Sequence, residues 1–292
     1  MAEKVVHIFT GQGFSFLDLK KLDRISFPDD VCEIFKDIFG YPLSQIKSIT
    51  PEIYSKNEIS TAILLTSSLH WIEKSMPTAI AVAGYSVGQY LALHAARTLS
   101  RHDLILLLFR RCKAMNKIAE NSKGTMAAIL GLRNEEVEKI AIDQFVSVSN
   151  DNAPGNITIA GEKTNIEKAC KIAIKHGAYK VQILNTSGAW HSPMMTPALE
   201  DLKYAISKAT WCASKIPLID NVTASEINIK NIEKQLLFHL THKVRWRESM
   251  QFLLNQGVVK FIEMSHFDLL SKMGPFISRK AQWLSATCCE EN

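Results

Sequence analysis

The stretch Ala79-Ile-Ala-Val-Ala-Gly84-Tyr-Ser86-Val-Gly88-Gln-Tyr-Leu-Ala-Leu-His-Ala-Ala96 decides how the chain is read. Ala79–Ala83 is a run of small apolar residues of strand length. After Gly88 the apolar residues Leu91, Leu93, Ala95 and Ala96 follow a helical pattern. Between the two lies Gly84-Tyr85-Ser86-Val87-Gly88, a G-x-S-x-G. A strand that turns abruptly into a helix strains the backbone at its central residue, and the flanking positions must lack side chains. The Ser86 hydroxyl then stands above the sheet at the positive end of a helix, with the next backbone N–H free to bind an oxyanion. The competing reading is a plain glycine-flanked turn.

At 292 residues the chain is long for one domain, which favours a large domain carrying a smaller inserted or appended one. Hydrophobic residues at 47% and charged residues at 22% are ordinary for a globular protein with a sizeable core. Lys and Arg total 34 against 29 Asp and Glu, a net +5, with no basic block interleaved with aromatics. That argues against nucleic acid as a partner. The mild excess leaves an acidic partner and a solvated basic surface both open. Six scattered cysteines form no C-x-x-C, and His239 and His242 have no third ligand nearby, so no metal is expected. Without a leader-like start or a run of about 18 apolar residues, the expected setting is the cytoplasm, away from membranes.

Upstream of the elbow, Val5–Phe9 reads as a strand ending at Thr10-Gly11-Gln12-Gly13. This Gly-x-Gly is too short for a dinucleotide fingerprint. Beside a nucleophile elbow it becomes a candidate for the second oxyanion N–H. Helix and loop follow over Leu17–Thr50, then helices at Ser60–Ile72 and Asp103–Ala119. The second carries Arg110-Arg111 directly after a buried-looking run. That pair is either snorkelling surface or a charge facing a pocket.

From Thr125 the pattern becomes strand Met126–Leu130, helix Asn134–Asp143, strands Phe145–Ser149 and Asn156–Ala160, helix Lys163–His176 and strand Tyr179–Leu184. This β-α-β-β-α-β order is that of ferredoxin-like folds. Beyond it come Ser187-Gly-Ala-Trp190-His191-Ser192-Pro193 and a helix over Met194–Ala209, with Ser192 as cap and Pro193 at the first position. His191 is either a surface loop histidine or the base that Ser86 needs. The last third contains a short strand at Pro217–Ile219, a helix through Phe238, a helix to Asn255, a strand at Val258–Met264 and a closing helix from Leu269.

In this order the segments resemble the malonyl-CoA:acyl-carrier-protein acyltransferases, both the freestanding type and those serving polyketide synthases. The pieces that carry the resemblance span nearly the whole chain. They are Phe9-Thr-Gly-Gln12-Gly13, Gly84–Gly88, Arg111 with Met115, Gly124-Thr-Met-Ala-Ala, Asn152-Ala-Pro-Gly155 through Gly161, Gly188–Pro193, Asn221-Val-Thr223, Val244-Arg-Trp246 and Phe261-Ile-Glu263. The resemblance implies an α/β architecture: an α/β-hydrolase-like large subdomain, residues 1–124 and 190–292, with an inserted ferredoxin-like small subdomain, residues 125–189. It implies Ser86 as nucleophile and His191 as its base, with the N–H groups of Gln12 and Val87 as oxyanion hole. The main-chain carbonyl of His239 would orient the base. Arg111 would pair with the free carboxylate of a malonyl group, with Tyr85 and Trp190 also on the substrate. Malonyl-CoA would be the donor and the phosphopantetheine thiol of an acyl carrier protein the acceptor, with no bound cofactor and a monomeric enzyme.

The chain departs from the family at Tyr85 (usually His), Gln89 (usually Glu), Cys112 (usually Gly) and Ser265-His266-Phe267 (usually Gly-Pro-Gly). Those changes keep a second reading open, an acyl-carrier-protein hydrolase of the same fold that releases stalled acyl groups to water. A catalytically dead carrier-binding module and a serine esterase of free small molecules complete the field.

Overall fold

The computed structural model describes residues 3–22, 26–45, 49–74 and 78–290. The N-terminal Met1-Ala2 and the parts of the Leu17–Thr50 reading at 23–25 and 46–48 lie outside them. Among the described residues nine strands form two sheets: β1 Val5–Phe9, β2 Ala81–Gly84, β3 Gly124–Leu130, β4 Ser147–Ala153, β5 Asn156–Glu162, β6 Lys180–Ile183, β7 Leu218–Ile219, β8 Lys260–Glu263 and β9 Gln282–Ser285.

The larger sheet has the order β7-β2-β1-β8-β9, every neighbouring pair parallel. Parallel strands covered on both faces read as continuous apolar runs, as β1 and β2 do. Val5, Phe9 and Val82 face a core shared with the helices Asn57–Glu73, Gly88–Ala95 and Arg101–Asn121. Val6, Ile8, Ala81 and Ala83 face the other way, onto Trp246, Met250 and Leu270. The carboxyl ends of β1, β2 and β8 lie side by side in the middle of the sheet, where open parallel sheets place their ligands. They deliver Thr10–Gly13, the elbow and Glu263–Phe267 to one place.

The second sheet, β4-β5-β3-β6, is antiparallel. With the helices Asn134–Asp143 and Lys163–Lys175 it follows the β-α-β-β-α-β order read from the sequence. Ala127, Ile129, Ile157 and Ile159 pack under those helices. The opposite face turns Met126, Thr158 and Gln182 toward the first sheet and walls a cleft between the two.

Three elements differ from the sequence reading, each for a physical reason. The strand expected at Phe145–Ser149 forms at Ser147–Ala153 instead; Phe145 has φ +55° and projects into solvent from the turn before it. Its polar run is buried because it meets the larger subdomain through hydrogen bonds rather than apolar contact. Asp151 N–H donates to Val244 O (2.9 Å), Val244 N–H to Ser149 O (2.8 Å), and Arg247 Nη2 to Asp151 Oδ2 (2.7 Å). The expected helix Met194–Ala209 begins as a 3-10 turn over Pro193–Ala198 and becomes α-helical at Leu199–Lys208, with Pro197 inside the tighter turn. Ser192 sits at its start, but its hydroxyl turns back to donate to Ala189 O (2.6 Å) rather than capping. Finally, the helix Leu269–Ile277 does not close the chain: β9 and a short helix Ala286–Glu290 follow. The brief Gln282–Ser285 run is fixed by Trp283, whose ring stacks on Phe261 at 4.1 Å.

Candidate active site

Ser86 has φ +54°, a left-handed conformation that a non-glycine residue adopts only where its surroundings enforce it. The enforcement comes from the turn. A Cβ at Gly84 would lie 2.1 Å from Gly88 O, and one at Gly88 would lie 2.2 Å from Phe9 O. The turn therefore packs backbone against backbone, and only glycine fits at either position. Helix Gly88–Ala95 starts immediately afterwards, so the Val87 N–H is among those a helix leaves without an intrahelical acceptor.

The Ser86 hydroxyl lies 2.7 Å from His191 Nε2. His191 Nδ1 is 2.7 Å from the main-chain oxygen of His239. Since a carbonyl can only accept, Nδ1 carries the proton and Nε2 is the atom able to receive one from Ser86. His191 also has φ +55° and is 3% exposed. Burial, reinforced by the nearby positive charge of Arg111, lowers its pKa from 6.5 to about 3, so the ring is neutral at physiological pH. Burial likewise holds His239 well below its ordinary value, with the neighbouring His191 ring and the Arg111 charge adding to it.

Of the two neighbouring arginines, Arg110 is exposed and Arg111 is 2% exposed. The Arg111 guanidinium carbon lies 5.8 Å from the centre of the Tyr90 ring. Among the described residues its Nε and Nη1 have no hydrogen-bond acceptor. A buried cation with unfilled donors is costly unless an anion joins it.

Gln12 lies on the loop after β1, and its side-chain Nε2 is within 3.0 Å of Asn57 O, Asn57 Oδ1, Ser60 Oγ and Thr61 Oγ1. That grip fixes the loop carrying its main-chain N–H. Tyr85 and Trp190 both line the cleft, which has a volume of about 450 Å³. The Tyr85 hydroxyl is committed, donating to Asn152 Oδ1 at 2.7 Å and so tying the elbow to β4. Ser86, His191, Gln12, Tyr85 and Trp190 share this cleft. Arg111 is buried and is not among its lining residues.

The departures from the family pattern find individual settings. Cys112 donates to Thr61 Oγ1 (3.2 Å), and its burial raises the thiol pKa to about 11. Phe267 stacks on Phe14 at 3.8 Å, with Tyr54 edge-on to Phe14 at 5.4 Å. Phe14 and Tyr54 both line the cleft. Gln89 Oε1 accepts from Asn221 Nδ2 at 2.6 Å.

Asn221 is the residue whose part the sequence did not disclose. It is 1% exposed, and its Oδ1 accepts from Ser86 N–H (2.8 Å) and from His239 Nε2 (3.2 Å). Its Nδ2 donates to the Gly84 carbonyl as well as to Gln89. Ser86 and Gly84 lie 135 and 137 positions away in sequence, and no local pattern signals such a link. Among the described residues no group of three or more His, Cys, Asp or Glu is arranged to hold a metal ion, and no helix is long and apolar enough to cross a membrane.

Comparison with known proteins agrees with this geometry. The acyl transferase domain profile matches residues 57–275. The malonyl CoA-acyl carrier protein transacylase of Bacillus subtilis (strain 168) is 29% identical, over 97% of this chain and 93% of its own. A crystal structure of an acyl-carrier-protein S-malonyltransferase from Bartonella henselae superposes with a TM-score of 0.87 at 28% identity, covering 99% of this chain and 96% of that one. A malonyl-transacylase in complex with its type II polyketide synthase acyl-carrier protein superposes with a TM-score of 0.84 at 28% identity, covering 97% of this chain and 94% of that one. An elbow serine, a buried histidine against it and a family match across three quarters of the length converge: the chain belongs to the acyl transferase domain family.

Proposed function

We propose that this acyltransferase moves a malonyl group from malonyl-CoA, through an ester on Ser86, to the phosphopantetheine thiol of an acyl carrier protein. The observation that carries the malonyl assignment is Arg111, a buried guanidinium with unfilled donors whose charge reaches the base. A planar fork of donors suits a carboxylate, and a malonyl thioester presents one beyond its reacting carbonyl. The names of the relatives, and the carrier-protein complex among the superposed structures, support the same donor and acceptor.

In this reading His191 Nε2 takes the Ser86 proton as Oγ attacks the thioester carbonyl, forming the C–O bond. The N–H groups of Gln12 and Val87 receive the negative charge that develops on the carbonyl oxygen. Collapse breaks the C–S bond, and the departing CoA sulfur takes the proton from the imidazolium. The pantetheine thiol then attacks the ester, His191 accepts its proton, and the steps run in reverse to restore Ser86. The His239 carbonyl keeps the ring in the tautomer with the proton on Nδ1. Tyr85 and Trp190 shape the cleft around the acyl group and its pantetheine arm, while Tyr85 spends its hydroxyl on Asn152.

We take residues 1–124 and 190–292 as the catalytic subdomain and 125–189 as the smaller one, a division supported by the two separate sheets. We also place the enzyme in the cytoplasm as a monomer that meets its carrier protein transiently. The hydrolase alternative has no support in these relatives.

The test follows malonyl from labelled malonyl-CoA onto a holo carrier protein. Wild type transfers it, and Ser86→Ala does not. Arg111→Ala loses malonyl transfer while still handling acetyl. Equal loss on both donors would overturn the role given to Arg111, and release of malonate to water without transfer would favour the hydrolase.

A further inference from the structure

Four hydrogen bonds close a ring around the nucleophile. Ser86 Oγ meets His191 Nε2 at 2.7 Å, and His191 Nδ1 meets His239 O at 2.7 Å. From the same His239, the side-chain Nε2 reaches Asn221 Oδ1 at 3.2 Å, and that oxygen accepts the Ser86 N–H at 2.8 Å. One residue, His239, therefore holds the base with its backbone and the nucleophile's turn with its side chain.

We propose that Asn221 and the His239 imidazole are positioning residues for acylation: together they hold the strained Ser86 backbone in register with His191. This inference rests on the acyl-enzyme reading above and extends it to two side chains that touch no substrate.

Three observations support the assignment. Asn221 fills every hydrogen-bonding capacity an amide has: its oxygen accepts twice, and its nitrogen donates to the Gly84 carbonyl and to Gln89 Oε1. It thus grips the last residue before the turn, the nucleophile itself and the first turn of the following helix. Its amide orientation is fixed by the Gly84 carbonyl, which can only accept. That leaves Oδ1 for Ser86 N–H and requires His239 to carry its proton on Nε2. The bonds to Asn221 also come at the expense of other buried atoms. Among the described residues His239 Nδ1 and Gln89 Nε2 have no partner, although both side chains are buried. Buried polar atoms left over in this way mark sites where a particular bond matters more than a filled core. Lastly, Ser86 and His191 each hold a positive φ, so each needs outside support to keep its place. The ring supplies that support to both at once, and an attacking oxygen misplaced by about 1 Å costs on the order of 100-fold in rate.

The experiment measures labelling of Ser86 by a fluorophosphonate probe, whose reaction needs the activated serine but no malonyl recognition. His239→Leu keeps the main-chain carbonyl and removes the side-chain donor; His239→Gln keeps a donor. The expected result is a maximal labelling rate lowered about 10- to 100-fold in His239→Leu and in Asn221→Ala, with the half-saturating probe concentration unchanged. His239→Gln restores the rate to within about threefold, and the double variant is no slower than the slower single one. Should Asn221→Ala fail to fold, the His239 pair still decides. Labelling of folded His239→Leu at the wild-type rate, or equal slowing in His239→Gln and His239→Leu, would overturn the proposal. Wild type that labels but takes no malonyl would overturn only the donor assignment. Wild type that does not label at all would remove the acyl-enzyme reading, and this inference with it.

Discussion

Arg111 and His191 are electrostatically opposed: the buried guanidinium adds to burial in holding the imidazole down to about 3. On the proposed role of Arg111, a malonyl carboxylate paired with it would cancel that charge. The imidazolium formed as Ser86 gives up its proton would then be easier to reach, so that the donor would strengthen the base it needs. Arg111→Ala should lower kcat/KM for malonyl-CoA about 100-fold or more, about 3 kcal/mol of transition-state stabilisation, while leaving acetyl-CoA unaffected or faster. Steady-state kinetics on the two donors check this.

The same relationship sets a pH dependence for stability. His191 and His239 both have folded pKa values below the ordinary 6.5, so the unfolded chain binds more protons between those values. Their contribution to stability is fully present above about 6.5 and is lost as pH falls below it, for His191 toward about 3. Denaturant midpoints followed from about pH 7.5 down to about 4.5 should fall with pH, and fall less in His239→Gln. A flat profile would contradict the buried, neutral pair.

Gly88→Ala tests the elbow as a backbone contact. A Cβ there would lie 2.2 Å from Phe9 O and 2.7 Å from Thr10 O, with no flexible side chain to move aside. The expected outcome is a loss of about 3 kcal/mol or more, or no folded protein, read from thermal unfolding and soluble yield.

The suture between the two subdomains gives a further prediction. Arg247 holds Asp151 with contacts of 2.7, 2.9 and 3.2 Å, and the Asp151 side chain is 3% exposed. Arg247→Met should destabilise the protein by about 3 kcal/mol, because it leaves a buried carboxylate without its cation. Tyr85→Phe should cost about 1–2 kcal/mol by stranding Asn152 Oδ1, and a folded Tyr85→Phe enzyme should still acylate. Chemical denaturation of the two variants separates these magnitudes.

What the sequence disclosed, and what it withheld, follow from how far each signal reaches. The elbow is legible because its cause is local: Gly84, Ser86 and Gly88 lie within five residues, and their spacing is itself the geometry. The small subdomain is legible because its strands and helices alternate with clear periods. The Arg110-Arg111 pair is not resolved by pattern, since which of two adjacent residues turns inward depends on helix rotation against distant partners. Strand β4 is displaced from its reading because Ser149–Asn152 buries polar atoms against residues about a hundred positions away, a pattern that imitates a loop. Asn221 is hidden for the same reason: three residues around the elbow and His239 give it meaning, and none lies within reach of a local motif.

The most direct measurement is the intact mass of the protein after brief mixing with malonyl-CoA, with Ser86→Ala alongside. A single malonyl adduct is expected on Ser86, absent from the variant, and it disappears on adding holo carrier protein, which gains it. No adduct on wild type, or an equal adduct on Ser86→Ala, would contradict the central claim that this site carries malonyl on Ser86.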